Sequence, residues 1–130
     1  MTGTNQAFII TGALSLTLAA ILSAYGFHGL GDEISPAKQQ SWGWAVQMQN
    51  YHSLGLMLIA ALSHQWAGSM LLKGAGILMI VGMLLFSGSI YAEILGAPEA
   101  LGEIAPYGGT AFMLAWLLVA LAAYLTPKTN

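Results

Sequence analysis

Long apolar segments with few charges constrain this chain more than any other feature. The segment from Ala7 to Phe27 contains no charged residue, and as an α-helix it would extend roughly 30 Å, the thickness of a bilayer's apolar core. Of the 130 residues, 57% are hydrophobic and only 6% are charged. Because a soluble domain of this size cannot cover so much apolar surface, the sequence predicts a protein embedded in lipid.

Four such segments are present, and they predict an all-α membrane protein. The spans cover about residues 7–27, 44–64, 70–95 and 107–125. Short loops between them indicate an antiparallel four-helix bundle that forms a single domain over residues 1–130. An even number of crossings places both termini on one side of the membrane.

Local signals set the expected ends of these helices. Glycines at 26, 29 and 31 are predicted to break the first helix. Ser35 and Pro36 are typical of a helix start, with Ser35 as the cap. Gly68 and Ser69 are predicted to form the turn between the second and third helices.

The three Lys residues determine the predicted orientation. Lys73 and Lys128 fall on the side of the termini, and Lys38 falls on the opposite side with four acidic loop residues. Because Lys and Arg are enriched on the cytoplasmic side, we expect both termini to be cytoplasmic, in a bacterial inner (plasma) membrane.

Missing residue types and motifs exclude several function classes. The chain has no Arg, which removes the case for nucleic-acid binding, and no Cys, which removes disulfides and thiol chemistry. The sequence contains no His-x-x-x-His pair, no phosphate-binding loop and no recognisable Ser-His-Asp set. We therefore expect a non-enzyme with no metal, cofactor or catalytic residue.

Small residues recur where helices would pack closely. They form one stripe on the first helix and further points on the third and fourth helices, where another backbone could approach. These predicted packing positions are Gly12, Ser15, Ala19, Ser23, Gly26, Gly82, Gly88, Gly108 and Gly109.

Polar side chains at one predicted level of the bundle form the candidate site. In lipid such groups must find partners inside the protein. The predicted topology places them toward the outer face, with His52 and Glu93 as partners across the bundle. The candidate residues are His28, His52, Ser87, Ser89, Tyr91, Glu93 and Thr110.

Each of these residues also has a structural interpretation. A membrane His usually donates to a carbonyl or a neighbouring side chain, and we favour that role for His52 over proton handling or metal binding. We expect Ser87 and Ser89 to donate to carbonyls one turn back. Glu93 lies near a helix end, where reaching water is favoured over pairing or protonation.

Four stretches of the chain resemble a known family. They are His28-Gly29-Leu30, Tyr51-His52-Ser53-Leu54, Phe86-Ser87-Gly88-Ser89-Ile90-Tyr91, and Ala105-Pro106-Tyr107-Gly108-Gly109 followed by Ala115-Trp116. In type and order they resemble the domain of unknown function 423 family, the YgdD-like group, which is similar also to the animal transmembrane protein 256. The resemblance implies a four-helix inner-membrane protein and brings no established activity, substrate or cofactor. The chain departs from that pattern at Phe27, Gly55, Glu93 and Ala105.

Three functions are compatible with these observations. The sequence favours a noncatalytic helix-bundle scaffold or an accessory subunit, with membrane lipids, other membrane-protein subunits or a second copy as partners. The alternatives are a binder or carrier of a lipid or other hydrophobic molecule, and a small proton-coupled transporter working through Glu93.

Overall fold

The computed structural model describes residues 1–66 and 69–129, and the predicted all-α fold is confirmed over that part of the chain. The helices are α1 (Gly3–Ala24), α2 (Pro36–Gln65), α3 (Met70–Met83), α4 (Ser89–Ile94) and α5 (Ala105–Leu125). Half of the predicted turn at Gly68 and Ser69 lies outside the described residues, because Gly68 is among those left out.

Two π-helical turns extend these helices into longer rods. The turn Tyr25–Leu30 continues α1, and the turn Leu84–Gly88 joins α3 to α4 as one rod, here called the third rod. The prediction that Gly26 and Gly29 break the first helix is therefore wrong. The rod ends with the 3₁₀-helical turn Gly31–Glu33, which begins at Gly31, whose φ of 41° is a conformation that glycine adopts without steric cost.

Side-chain caps begin α1 and α2 earlier than the apolar segments do. The Thr2 hydroxyl accepts from the Asn5 amide over 3.1 Å, and the Ser35 hydroxyl accepts from the Lys38 amide over 3.2 Å. The helix start predicted at Ser35 and Pro36 is confirmed. Because α2 begins there, its midpoint lies closer to the N-terminus than the apolar span alone suggested.

Three of the described rods are long and apolar enough to cross a membrane: Gly3–Glu33, Met70–Ile94 and Glu99–Leu125. The helix α2 carries amides in its first half and is not among them. It would nevertheless extend about 45 Å, and it packs against α1 and α3. That α2 also crosses the membrane stays a prediction.

The four rods pack as two pairs, α1 with α2 and α3 with α5, which meet where α2 contacts the third rod. The largest buried cluster joins all four rods, with Phe8, Leu56, Met79 and Phe112 among its members. Residues from both termini line clefts beside the end of α2 and the start of α3. We call that end of the bundle the terminal end and the opposite one the loop end.

Most of the predicted small-residue positions lie at close contacts between rods. A Cβ at Gly12 would lie 2.7 Å from the Ser53 carbonyl oxygen, and one at Gly108 would lie 2.8 Å from the Gly82 carbonyl oxygen. Ala19 and Gly26 are buried, and Ser15 is half-buried. Three positions differ: Ser23 is exposed, Gly88 lines an open cleft, and a Cβ at Gly109 would meet nothing within 4 Å.

Candidate functional site

His52 is one of three predicted site residues that are buried, and it lies near the middle of α2. Its Nδ1 is 2.7 Å from the Met48 carbonyl oxygen, and its Nε2 is 3.0 Å from Nε1 of Trp116 on α5. The ring also stacks on Phe112, with centroids 3.5 Å apart and planes 9° apart. The imidazole therefore links α2 to α5.

These partners define the protonation of His52. A carbonyl can only accept and an indole N–H can only donate, so Nδ1 carries the proton and Nε2 accepts. This neutral ring uses both nitrogens within the protein. A second proton on Nε2 would point at the Trp116 N–H and break that bond, so the arrangement suits a structural link.

The predicted single level of polar residues is wrong. His52 lies at mid-height, whereas His28 is exposed near the loop end and makes an edge-on contact with Phe27. Glu93 approaches the loop at Gly102, and Thr110 is exposed and donates to the Pro106 carbonyl. The predicted pairing of His52 with Glu93 is also wrong, because Trp116 and the Met48 carbonyl take both ring nitrogens.

The two serines of the third rod behave differently from each other. Ser89 donates within its own helix, to the carbonyls of Leu85 at 2.5 Å and Phe86 at 3.0 Å, as expected. Ser87 instead donates to the Ala45 carbonyl of α2 over 2.7 Å. The expectation that Ser87 would bond one turn back is wrong, because the π-helical turn directs its side chain toward α2.

An open cleft runs between α1 and the third rod, with α2 as its floor. Its volume is about 390 Å³, within the range of ligand sites in proteins. Leu14, Leu18 and Leu84 line it and are at least half exposed. The remaining lining residues are Thr11, Ser15, Leu22, Gln49, Ile80, Met83, Ser87, Gly88 and Tyr91.

A hydrogen-bonded network forms the polar part of this cleft. The Tyr91 hydroxyl donates to Oε1 of Gln49 over 2.8 Å, and Nε2 of Gln49 donates to the carbonyl and the hydroxyl of Ser15 at 3.0 and 3.2 Å. Ser53 donates to the same Ser15 hydroxyl over 2.7 Å. The network connects α1, α2 and the third rod at a level where apolar side chains would otherwise meet.

Several residues that bond to Ser15 or to His52 were not among the candidate site residues predicted from the sequence. Gln49 and Ser53 are one turn apart on α2 and face Ser15, which was predicted only as a packing position. Their spacing was the available signal, because side chains four residues apart share a helix face. The sequence held no signal for Trp116 beyond the family motif that contains it, because its hydrogen bond to His52 depends on how α5 packs in the bundle.

The residues that line the cleft are all uncharged. Within residues 1–66 and 69–129, His, Asp and Glu do not gather in groups that could hold a metal ion. The cleft is therefore an apolar surface with a few neutral polar atoms.

A sequence model of a family described as a protein of unknown function (DUF423) matches residues 22–109. The chain belongs to the DUF423 family. The matched region contains all of the cleft residues of α2 and the third rod, and Leu22 from α1. The resemblance predicted from the four motifs is thereby confirmed.

Several bacterial proteins are similar to this DUF423 protein over almost their whole length. The UPF0382 membrane protein YwdK of Bacillus subtilis is 41% identical over 118 residues, which cover 91% of this chain and 96% of the relative. A UPF0382 membrane protein of Staphylococcus epidermidis is 38% identical over 117 residues, 90% of this chain and 94% of the relative. A UPF0382 membrane protein of Staphylococcus saprophyticus is 34% identical over 119 residues, which cover 92% of this chain and 98% of the relative.

No solved structure matches the chain. The names of the relatives state that they are membrane proteins, and together with the apolar rods they establish this chain as a small membrane protein. Those names state no activity.

Proposed function

We propose that this DUF423 protein is a noncatalytic membrane protein that holds a hydrophobic, hydroxyl-bearing molecule in the cleft between α1 and the third rod. The observation that carries the proposal is a lipid-facing cleft of about 390 Å³ with a polar floor. A helix contact formed only for packing would bury these surfaces against each other. Here the cleft stays open over the length from Thr11 to Leu22, roughly 16 Å along α1.

The hydrogen bonds already formed at the cleft floor favour a ligand with a hydroxyl over one with an acidic group. The hydroxyl protons of Tyr91 and Ser87 are both used within the protein, as are the amide protons of Gln49. What these groups still offer is acceptor capacity on their oxygens. Beside these three groups a ligand must therefore donate, as an alcohol does, whereas a carboxylate or phosphate would face their oxygen atoms with no cation among the lining residues.

The π-helical turn supports the same site. Leu84, Ser87 and Gly88 all belong to the turn and all line the cleft. π-Helical turns are frequent at functional sites because they displace side chains from the regular helical face. Here the turn directs the Ser87 side chain toward α2 and places Gly88 at the wall of the cleft.

Labelling with a photoreactive ligand tests the proposal. A long-chain alcohol with a diazirine in its chain should label peptides from α1 and the third rod in purified protein, and the fatty acid of equal length should label them more weakly. Leu18→Trp, which fills the cleft, should reduce labelling severalfold, whereas Leu117→Trp on the exposed face of α5 should not. Equal labelling of both variants would contradict the cleft, and stronger labelling by the acid would contradict the hydroxyl.

Proton-coupled transport, which the sequence left open, would need a group free to titrate at mid-depth. His52 already uses both ring nitrogens, and Glu93 lies near the loop end. We therefore propose no proton-carrying role for either residue.

An accessory or scaffold function is the second candidate. One observation favours it: two amides on α2, at Gln47 and Asn50, line a different cleft that opens on the outside of the bundle.

A further inference from the structure

We infer that α2 carries an interface for a second copy of this chain, formed by Gly43, Gln47, Asn50 and Leu54. These residues follow a spacing of four, three and four, so they lie along one side of the helix. Gly43, Gln47 and Leu54 are exposed and Asn50 is half-buried. We call this set the α2 strip.

The depth of the strip makes its amides unusual. Gln49 bonds to Ser15, which lies near the middle of the apolar segment Ala7–Phe27, so this part of α2 lies beside the middle of the predicted first span. Gln47 and Asn50 stand on either side of Gln49 in sequence and therefore lie close to the same depth. At the middle of a span, the apolar core of a bilayer offers neither water nor lipid headgroups to such amides.

The two amides have no partner in the part of the chain that the structure describes. The side-chain hydrogen bonds of α2 there involve Gln39, Trp42, Gln49, His52 and Ser53, and neither Gln47 nor Asn50 takes part. An amide carries two donors and an acceptor, and leaving them unpaired in hydrocarbon costs free energy. A partner outside the single chain would satisfy these groups.

A second copy fits this requirement better than a lipid does. An amide presents a donor beside an acceptor, so identical amides related by a two-fold axis can bond to each other. A two-fold axis along the membrane normal keeps both copies in the same orientation and brings the two strips together. A phospholipid headgroup stays at the membrane surface and does not reach this depth.

The shape of the strip also allows close approach. A Cβ at Gly43 would meet nothing within 4 Å, so a neighbouring backbone can come near it. The cleft beside the strip, between α1 and α2, has a volume of about 360 Å³ and includes both amides and Ser23 among its lining residues. It shares no lining residue with the cleft of the proposed function, and the two proposals stand independently.

Cysteine cross-linking in native membranes tests the interface directly, because the chain contains no Cys of its own. Leu54→Cys should give a disulfide-linked dimer on mild oxidation, since its counterpart lies across the axis. Leu117→Cys, which is 64% exposed on α5, is the matched control and should stay monomeric. Equal cross-linking of both variants, or none at Leu54, would overturn the interface.

A second measurement separates the amides from mere proximity. Replacing both Gln47 and Asn50 by Leu should weaken self-association, measured by energy transfer between labelled copies in vesicles, by about tenfold or more. Thr110→Val, on an exposed residue bonded within α5, should leave it unchanged. The double variant should keep its helicity, because neither amide is hydrogen-bonded within the part of its own chain that the structure describes. Unchanged association of that variant, or a different protein cross-linked to the strip, would overturn the proposal.

Discussion

The indole nitrogen of Trp116 donates to Nε2 of His52 over 3.0 Å, and this bond joins two helices that belong to different pairs. The helix α2 packs chiefly on α1, and α5 packs chiefly on α3. The bond and the stacking of His52 on Phe112 therefore hold together the two halves of the bundle near mid-height. On the opposite diagonal, between α1 and the third rod, the cleft stays open.

Replacing His52 by Ala should destabilise the fold strongly. The change removes the bond to Trp116, removes a ring stacked on Phe112, and leaves a cavity, so we expect a loss of about 2–4 kcal/mol in the free energy of unfolding. Unfolding in mixed detergent micelles measures it. His28→Ala is the control, because that ring is exposed, and it should change stability by less than about 0.5 kcal/mol. Equal effects of the two variants would contradict the linking role.

A double-mutant cycle should assign part of that loss to the bond itself. Trp116→Phe keeps an aromatic ring and removes only the indole N–H and part of the contact area. Combined with His52→Ala, it should cost less than the two single changes added together, with a coupling of about 0.6–2 kcal/mol. Additive single effects would show that the two side chains contribute independently.

Adjacent glycines on α5 should respond in opposite ways to the same substitution. A Cβ at Gly108 would lie 2.8 Å from the Gly82 carbonyl oxygen and closer still to the Phe86 amide nitrogen, so backbone must move. We expect Gly108→Ala to cost about 1–3 kcal/mol. A Cβ at Gly109 would meet nothing within 4 Å, so Gly109→Ala should be neutral or stabilise by up to about 1 kcal/mol. Thermal unfolding in detergent compares them, and equal losses would contradict the close contact of α5 with the third rod.

Composition and segment length were enough to predict the all-α bundle, because lipid leaves the backbone few alternatives to helices. The depth of individual residues was harder. The second span was predicted to begin near Trp44, where the amides give way to apolar residues, whereas α2 begins at Pro36. Because α2 begins about two turns earlier than predicted, His52 lies near the middle of the helix and not two turns from its start. It is therefore farther from the level of Glu93 than expected.

The π-helical turn Leu84–Gly88 explains the error in the prediction for Ser87. Extrapolating helical periodicity assumes that each residue turns by roughly 100°, and a π-helical turn inserts one extra residue. Across Leu84–Gly88 this shifts which side chains face α2, and it takes Ser87 away from its own helix. The sequence alone did not predict which side chains line the cleft, because the rotation of each helix toward its neighbours depends on tertiary packing.

Removing one hydroxyl from the cleft should have a small but measurable effect. Tyr91→Phe takes away the donor that pairs with Oε1 of Gln49, and leaves that oxygen without its partner from the third rod. We expect a loss of about 1 kcal/mol in the free energy of unfolding, since a hydrogen bond between membrane helices is worth about that much. Tyr107→Phe is the matched control, because that side chain is 70% exposed at the start of α5, and it should change nothing. If the two variants unfold alike in mixed micelles, the link between Tyr91 and Gln49 does not stabilise the bundle, and the polar floor serves the cleft alone.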